Sequence, residues 1–529
     1  MPPTFTLSSS APATVRADLL AVPVFTDREL GPGAGEVDDA IGGGLVEFME
    51  ETDFTAKRGE TLAVPTGRRL GAKAVVLVGM GARDELDLDA LRRAGAGLAR
   101  RSTRVTSVAT TLLDAAPAAV DRTEAAQALA EGIALGGYQF LRYKGDGKPS
   151  KLRRVVVLGA GGAGVRAALD RASAVSEAVV WARDLVNEPS LGKSPADVAA
   201  AARRLMRGTG VTVQVWTGER LRRERLGGVV GVGQGSSRPP CLLRLEYSPG
   251  GARQTLALVG KGVVFDSGGL SIKPASGMEN MKTDMSGAAA VIAAMSAMSA
   301  LDVKSRVIGF VPLVENMPSG TAIRPGDVLR FRNGKTAEVL NTDAEGRLIL
   351  ADGLALASEA RPAAIVDLAT LTGACMVALG DKIAGLMAND DAWGEQVRAA
   401  ADRAGEPVWP LPLPQEYRKL LDSEVADMKN IGGSYGGALT AGLFLQEFVD
   451  GAPWVHLDIA GPARASGDDG LLVKGGTGFG VRTLLELART FDPPVNGRVA
   501  GKASKAKRAS KASKTKRGRP ARTTTRKRG

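Results

Sequence analysis

Short apolar runs alternate with amphipathic stretches along the first third of the chain. The runs at 19–25, 61–64 and 74–78 are rich in leucine, valine and alanine, which is typical of buried strands. Residues 122–135 carry apolar side chains at helical spacing. This alternation of strand and helix patterns predicts an N-terminal α/β domain over residues 1–165.

The same two patterns continue further along the chain. Strand-like runs occur at 255–259 and 454–459, and residues 286–301, rich in alanine and methionine, predict a buried helix. That helix is too short to cross a bilayer, so no membrane span is expected. We predict a connecting helix over 166–184 and a second, larger α/β domain over 185–492.

The positive charge of the chain is concentrated at its C-terminus. Residues 501–529 contain 13 lysines and arginines and no acid, while the whole chain has a net charge of +12, so the remainder is close to neutral. This segment has no large apolar residue, and residues 493–529 are predicted to form a disordered basic tail. Dense unbalanced cations favour binding to DNA or another polyanion, and the alternative is a solubilising appendage without a partner.

The scarcity of histidine and cysteine limits the chemistry. The only histidine, His456, lies in an alternating strand-like stretch and is predicted to be structural, which disfavours a Ser-His-Asp triad and a multi-histidine zinc site. Two cysteines, Cys241 and Cys375, give neither a thiolate cage nor a disulfide framework. No signal peptide is evident at Met1, so we expect a cytoplasmic protein. Any metal must be held by carboxylates.

Two segments carry the candidate chemistry. In the octapeptide 341–348, an extended backbone would place Asp343, Glu345 and Arg347 on one face, an arrangement suited to cations and an anion; a solvated turn with a local ion pair is the alternative. The second segment, 260–285, is rich in glycine and sets its lysines and aspartates at the ends of apolar runs. Positions of this kind are where sites form.

The motifs of these segments resemble the leucyl aminopeptidase family, the cytosolic aminopeptidases of peptidase family M17. The resemblance rests on 341–348 (NTDAEGRL), 259–269 (VGKGVVFDSGG), 271–274 (SIKP) and 281–285 (MKTDM), and it extends over roughly residues 180–490. It implies a hexameric two-metal exopeptidase whose catalytic domain has a central mixed sheet flanked by helices. Peptides would be the substrates, and attack of a metal-bound water would release the N-terminal, preferably leucine-like, residue.

The resemblance also implies a role for individual residues. One divalent ion, Mn²⁺ or Zn²⁺, would be held by Asp266, Asp343 and Glu345. The other would be held by Lys261, Asp266, Asp284 and Glu345. Lys273 would polarise the scissile carbonyl, and Arg347 would hold a bicarbonate that relays a proton. The substrate would be bound by Met281, Thr370, Leu371, Gly373, Ala460 and Ala463.

Two alternatives come from other classes of protein. Residues Gly159–Gly164 complete a G-x-G-x-x-G pattern between a strand-like run and a helix-like stretch, which is the context of a dinucleotide site, although a lone glycine fingerprint is weak. The basic tail also permits a nucleic-acid-associated binding protein in which the peptidase site is incidental. Intact candidate ligands argue against an inactive site.

Overall fold

The first of two large sheets occupies the N-terminal part of the chain. The computed structural model describes residues 2–67, 69–159 and 161–494, and within these residues this sheet has six strands in the order β1-β6-β5-β2-β4-β3. All neighbours are parallel except β3 and β4. The strands are β1 (Thr4–Ser8), β2 (Leu19–Val24), β3 (Thr61–Pro65), β4 (Ala74–Gly79), β5 (Ser107–Thr110) and β6 (Arg154–Leu158).

The helices of this region cover the sheet. The carboxylates of Asp87 and Asp121 cap two of them, because each accepts a hydrogen bond from a first-turn N–H that has no partner within its helix. The helices are α1 (Ala34–Ile41), α2 (Leu45–Glu51), α3 (Leu88–Arg101), α4 (Arg122–Gly136) and α5 (Ala163–Asn187).

The helix α5 belongs to the cores of both sheets. Its first turns, with Leu169, pack in the core of the N-terminal sheet. Its last turns, with Val179 and Val186, pack in the core of the second sheet. The helix therefore covers the predicted connecting segment 166–184 as one continuous element.

The second sheet has nine strands, with the path β16-β15-β18-β14-β9-β11-β8-β7 and with β10 paired to β11. It is mixed, since β7, β8 and β11 pair antiparallel while β9, β14 and β18 are parallel neighbours. The strands of this region are β7 (Val211–Thr217), β8 (Cys241–Tyr247), β9 (Thr255–Gly260), β10 (Gly262–Asp266), β11 (Arg306–Asn316), β12 (Val328–Arg330), β13 (Thr336–Glu338), β14 (Ala364–Ala369), β15 (Ala384–Ala388), β16 (Val408–Pro410), β17 (Met428–Lys429), β18 (Trp454–Asp458), β19 (Arg464–Ala465) and β20 (Gly475–Gly476).

Successive side chains of the central strands enter two different cores, as the twofold period of a strand requires. Leu256 and Leu258 of β9 lie in one core, whereas Ala257 and Val259 lie in the other. The helices are α6 (Pro195–Leu205), α7 (Glu219–Arg223), α8 (Gly227–Gly233), α9 (Ala275–Met278), α10 (Ser286–Ala297), α11 (Gly346–Glu359), α12 (Gly373–Leu379), α13 (Asp391–Ala404), α14 (Gly437–Gln446) and α15 (Val481–Arg489).

The predicted fold class is confirmed: two α/β regions, the second with a mixed sheet flanked by helices. The predicted strands and helices are present, and most end within one or two residues of their predicted bounds; α5 extends three residues beyond the predicted segment at each end, and α10 ends at Ala297, before its predicted end at 301. Among the described residues, no helix has the length and apolarity needed to traverse a bilayer. The domain boundaries at 165 and 184 stay predictions, and residues 495–529 of the predicted tail lie outside the described residues.

Arg183 on α5 joins three separate segments. Its guanidinium donates to the carbonyl oxygens of Leu135 (3.0 Å), Leu471 (2.9 Å) and Thr477 (2.8 Å). Burial lowers the pKa of Arg183 to about 10, so the group stays charged at neutral pH.

We expect Arg183→Met to lower the thermal unfolding midpoint by several degrees, because each buried carbonyl left without a donor costs about 1–3 kcal/mol. Differential scanning calorimetry measures the shift. The control is Arg398→Met, which removes a surface arginine paired with Glu395 and Asp402 and should leave the midpoint unchanged. Equal midpoints for the two variants would contradict a joining role for Arg183.

Candidate active site

Three carboxylates converge at one end of the second sheet. Asp266 is the last residue of β10, Asp343 lies in a turn, and Glu345 directly precedes α11. One oxygen from each lies within 4.8 Å of the others, a grouping that could hold a metal ion. Asp266 and Glu345 are buried, and Asp343 is partly exposed.

Lys261 and Asp284 extend the cluster. The ammonium of Lys261 lies 2.8 Å from Oδ1 of Asp284 and 3.0 Å from Oε1 of Glu345, and it donates to the carbonyl of Thr370 at 2.8 Å. Burial alone would lower the pKa of Lys261, but the surrounding carboxylates raise it above its ordinary value. In the metal-free protein this lysine is therefore an ammonium that partly neutralises the cluster.

Lys273 pairs with the other two carboxylates of the cluster. Its ammonium lies 2.9 Å from Oδ2 of Asp266 and forms a second ion pair with Asp343. Here also burial opposes the charge, and the two carboxylates nevertheless raise the pKa of Lys273. Four carboxylates thus share two lysines.

The oxygens of this centre lack the partners that buried carboxylates need. Oδ2 of Asp284 and both oxygens of Glu345 are buried and accept no well-formed hydrogen bond, although the ammonium of Lys261 is close to Oε1. Burial, which disfavours charge, raises the pKa of Asp266, Asp284 and Asp343. Divalent cations would supply the missing partners and charge, so the residues fit a metal centre.

Arg347 does not share an extended segment with the two acids. The prediction of an extended backbone over 343–347 is wrong, because α11 begins at Gly346 and Arg347 lies in its first turn. Asp343 and Glu345 still meet, since the turn before the helix directs both inward. Arg347 is buried, donates to the carbonyl of Asn430 at 2.8 Å, and has a buried Nε without a partner.

A glycine before Arg347 makes room for Lys261. A Cβ at Gly346 would lie 2.5 Å from Cε of Lys261, closer than any real Cβ contact. A side chain at this position would displace the end of Lys261, so glycine lets the lysine keep its place in the cluster.

Among the substrate residues implied by the resemblance, Thr370 contacts the acidic centre directly. Thr370 donates from Oγ1 to Oδ1 of Asp284 at 2.7 Å. The N–H groups of Leu371 and Ala460 both donate to Oδ1 of Asp458, each at 3.2 Å. The remaining three lie close in sequence to residues already described. Met281 begins the 3-10 helix that ends just before Asp284, Gly373 begins α12 shortly after Leu371, and Ala463 is buried three residues after Ala460.

Sequence reasoning assigned no role to several residues that hold the site in place. Asp458 also accepts from Thr372, so one carboxylate holds the segment after β14 against the segment after β18. The amide of Asn316 donates to Asp266 and to the carbonyl of Thr342, and Asn430 supports the turn before α11. Asp458 lies in the strand-like run 454–459, whereas Asn430 has no local sequence signal because its contacts are with residues 89 and 90 positions away.

His456 is placed as the sequence predicted, in a buried strand. Its Nδ1 lies 2.6 Å from Oδ1 of Asp367, and Trp454 donates to the other oxygen of that carboxylate. The ring is fully buried, and no serine or cysteine nucleophile is among its hydrogen-bond partners in the described part of the chain. A catalytic triad is not formed there.

The glycine pattern at 159–164 does follow a strand and precede a helix. A carboxylate fills the turn, however: a Cβ at Gly159 would lie 2.3 Å from Oδ2 of Asp114. This carboxylate, which is paired with Arg122, lies where such a turn binds the pyrophosphate in dinucleotide sites.

Comparison with known proteins gives a consistent result. Residues 180–485 match the family model for the catalytic domain of the cytosol aminopeptidase family, and residues 21–147 match its N-terminal domain. A probable cytosol aminopeptidase of Streptomyces griseus is 47% identical over 508 residues, covering 91% of this chain and 98% of the relative. A probable cytosol aminopeptidase of Syntrophotalea carbinolica is 45% identical over 483 residues, covering 90% and 97%.

Solved structures show the same similarity. The bottromycin maturation enzyme BotP in complex with Mn has a TM-score of 0.81 at 40% identity, covering 89% of this chain and 99% of its own. A mutant of tomato leucine aminopeptidase has a TM-score of 0.83 at 33% identity, covering 92% and 96%.

The fold and the acidic centre, taken with these similarities, define a metal-dependent aminopeptidase. The chain belongs to the cytosol aminopeptidase family.

The metal centre can be tested by removing one carboxylate. We expect Glu345→Gln to lose bound metal and peptidase activity together, because two candidate sites share this side chain and the amide cannot replace its charge. Elemental analysis after gel filtration in Mn²⁺ measures occupancy. Glu359→Gln, at the surface end of α11, is the matched control. Full metal content in Glu345→Gln would refute the assignment.

Proposed function

We propose that the protein releases N-terminal residues, preferably leucine-like, from peptides with two divalent cations, Mn²⁺ or Zn²⁺, in the acidic centre. The buried oxygens of Asp284 and Glu345 that lack hydrogen bonds carry the proposal. The first cation would bind Asp266, Asp343 and Glu345, and the second Lys261, Asp266, Asp284 and Glu345. When bound, the cations act as Lewis acids on the scissile carbonyl and lower the pKa of water.

Lys261 must bind its cation as a neutral amine. The carboxylates that raise its pKa in the metal-free protein are the same groups that a cation would neutralise. Metal loading would thus remove the reason for the ammonium, and loss of its proton would leave a lone pair on Nζ, which lies 2.8 Å from Asp284 and 3.0 Å from Glu345.

Lys273 would keep its proton and act on the substrate. A cation at Asp266 and Asp343 would weaken the ion pairs that hold its ammonium, and the group is partly exposed. The freed ammonium would donate to the carbonyl oxygen of the substrate and stabilise the negative charge that develops there.

Arg347 would hold an anion, bicarbonate, that accepts and passes on a proton. Burial lowers the pKa of Arg347 to about 10, so the guanidinium remains charged at neutral pH. One of its N–H groups is bound by the carbonyl of Asn430, and the buried Nε remains to be satisfied. A small anion beside the carboxylates would satisfy it and would provide a proton acceptor other than the carboxylates that the cations would occupy.

The substrate would be held by its free amine. Oδ2 of Asp284 is unpaired and could accept from an ammonium or amine, which would place the first peptide bond at the cations. Thr370, which donates to the other oxygen of Asp284, would then line the pocket for the first side chain with Met281, Gly373, Ala460 and Ala463. The backbone near Leu371 would bind the main chain of the peptide.

We also propose a homo-oligomer, a hexamer, that works in the cytoplasm. The support is the match over nearly the full length of relatives that are named cytosol aminopeptidases. Sedimentation velocity of the full chain would measure the assembly.

The overall proposal is tested with metal-stripped protein and leucine amide. Hydrolysis should be absent after chelation and should return when Mn²⁺ or Zn²⁺ is added. Turnover that survives complete removal of metal would overturn the proposal, as would inactivity with every divalent ion tried.

Variants of Lys273 and Arg347 test whether these residues act in the reaction without binding the metal. We expect Lys273→Ala and Arg347→Ala to retain bound metal while kcat falls, by about 10² or more for Lys273 as an oxyanion donor. Steady-state kinetics with metal analysis of the same samples gives both quantities. Lys382→Ala, a surface lysine paired with Asp469, is the control. An unchanged kcat would remove the residue from the mechanism.

The amine requirement predicts exopeptidase behaviour. Acetylation of the N-terminus of a leucine-initiated peptide should abolish its cleavage, because the acetylated nitrogen is not basic and cannot pair with Asp284. Mass spectrometry of the paired peptides after equal incubation measures the difference. Efficient cleavage of the acetylated peptide would contradict the exopeptidase proposal.

For the C-terminal segment we propose binding to DNA or another polyanion, on the support of its 13 basic residues and absence of acids. Truncation after Gly497 should abolish binding to duplex DNA and leave peptidase kinetics unchanged. Fluorescence anisotropy across a salt series should show log affinity falling linearly with log salt, by about 0.9 for each phosphate neutralised. Equal DNA affinity in both proteins would refute this role.

A further inference from the structure

Lys193 is a buried lysine outside the metal centre. The residue is 1% exposed and immediately precedes Ser194, the N-cap of α6. Its Nζ donates to three backbone carbonyls, those of Leu185 (2.9 Å), Val186 (3.3 Å) and Lys282 (2.8 Å). Within the described part of the chain, no carboxylate pairs with it. A lysine buried without an acid needs another source of stabilisation.

That source is the end of helix α5. The last four carbonyls of a helix have no partner within it, and they carry the negative end of the helix dipole. In α5 the first of them, at Asp184, accepts from the N–H of Glu188 at 3.0 Å. The next two accept from Lys193, and the last, at Asn187, accepts from Nζ of Lys282 at 2.9 Å. Two lysines thus complete the helix end.

The third carbonyl bound by Lys193 connects this helix end to the active site. Lys282 lies in the 3-10 helix Met281–Thr283, between Met281 of the substrate pocket and Asp284 of the metal centre. Oγ1 of Thr283 donates to the carbonyl of Asn280 at 2.8 Å, and Oγ of Ser286 donates to that of Thr283 at 2.6 Å, so the segment is held internally. A shift of the Lys282 carbonyl would therefore move Met281 and Asp284 together.

Only the protonated lysine satisfies this arrangement. A neutral amine has two N–H donors and a lone pair, which would face a carbonyl oxygen, whereas an ammonium has three donors for the three oxygens. Burial lowers the pKa of Lys193 to about 7; the nearby charge of Lys282 also lowers it, and Glu188 raises it. The ammonium of Lys193 thus occupies a site of three carbonyl oxygens that requires a cation.

We propose that Lys193 is a positioning residue whose ammonium, bound by three carbonyls, fixes segment 281–284 for the substrate's first residue. The proposal rests on the proposed aminopeptidase function. It assigns Lys193 no contact with substrate or metal. Its effect is to hold the wall of the pocket and the carboxylate that pairs with the substrate amine.

The test compares Lys193→Met, which fills the space without charge, with Lys193→Ala, which leaves room for an added cation. For both we expect kcat/KM on leucine amide to fall by about tenfold or more, mainly through KM, and the preference for leucine over alanine to shrink. Metal content should stay at the wild-type level. Lys304→Met, a surface lysine paired with Asp302, is the matched control.

Chemical rescue distinguishes a cation from a space-filling side chain. Propylammonium should restore part of kcat/KM and raise the melting temperature of Lys193→Ala, while Lys193→Met and the wild type should not respond. If Lys193→Met does not fold, Lys193→Gln replaces it, because the amide can donate to two carbonyls without carrying charge.

Wild-type kinetics in Lys193→Met, or loss of activity in Lys193→Ala that propylammonium does not relieve, would overturn the proposal. Failure of the proposed function is distinguishable from this result. In that case the wild type itself would not hydrolyse leucine amide, while the melting temperature of Lys193→Ala would still report whether the three carbonyls bind a cation.

Discussion

The balance of charge in a buried cluster governs this structure. Asp266, Asp284 and Glu345 are almost fully buried, and carboxylates in such surroundings cannot all remain charged without cations beside them. In the metal-free protein Lys261 and Lys273 provide two positive charges, and unpaired oxygens remain. The same carboxylates must therefore accommodate two states: one in which lysines balance their charge and one in which metal ions do. The carboxylates raise the pKa of both lysines in the first state, as expected of a cluster that attracts positive charge.

The rest of the catalytic region serves to bring these groups together. Asp266 ends β10, Thr370 follows β14, and Asp458 ends β18, so the ends of strands of one sheet supply residues of the centre and of the segments beside it. Ligands in open α/β sheets are commonly bound at strand ends, where side chains from separate segments converge while the backbone behind them stays hydrogen-bonded. At the start of α11, Gly346 leaves space for Lys261, and the carbonyl of Asn430 accepts a hydrogen bond from Arg347, so both cations lie near Glu345.

Much of this arrangement was predictable from the sequence, and the exceptions have a physical cause. The apolar runs predicted the strands because a strand that is covered on both faces consists almost entirely of apolar residues, as in β9, whose two faces enter two cores. The cluster residues were found through local motifs. The extended backbone over 343–347 was predicted wrongly because alternation of acids over five residues does not distinguish a strand from a turn that enters a helix. Asn430 and Lys193 were not found, since their roles depend on carbonyls that only the folded chain brings near.

The helix α5 has a consequence for how the protein can be divided. It is 25 residues long, roughly 37 Å at the usual rise, and its two halves belong to different cores. A shared rod of this kind prevents the two sheets from swinging independently, since any rotation would have to break backbone hydrogen bonds in the middle of the helix. It also means that no truncation point separates the peptidase region from the N-terminal region without loss. A fragment that starts near residue 180 would lack the first half of α5, and a fragment that starts before α5 would expose the apolar side chains of that half to water. The N-terminal region is thus an integral structural part of the enzyme, even though it contributes no residue to the acidic centre among those described.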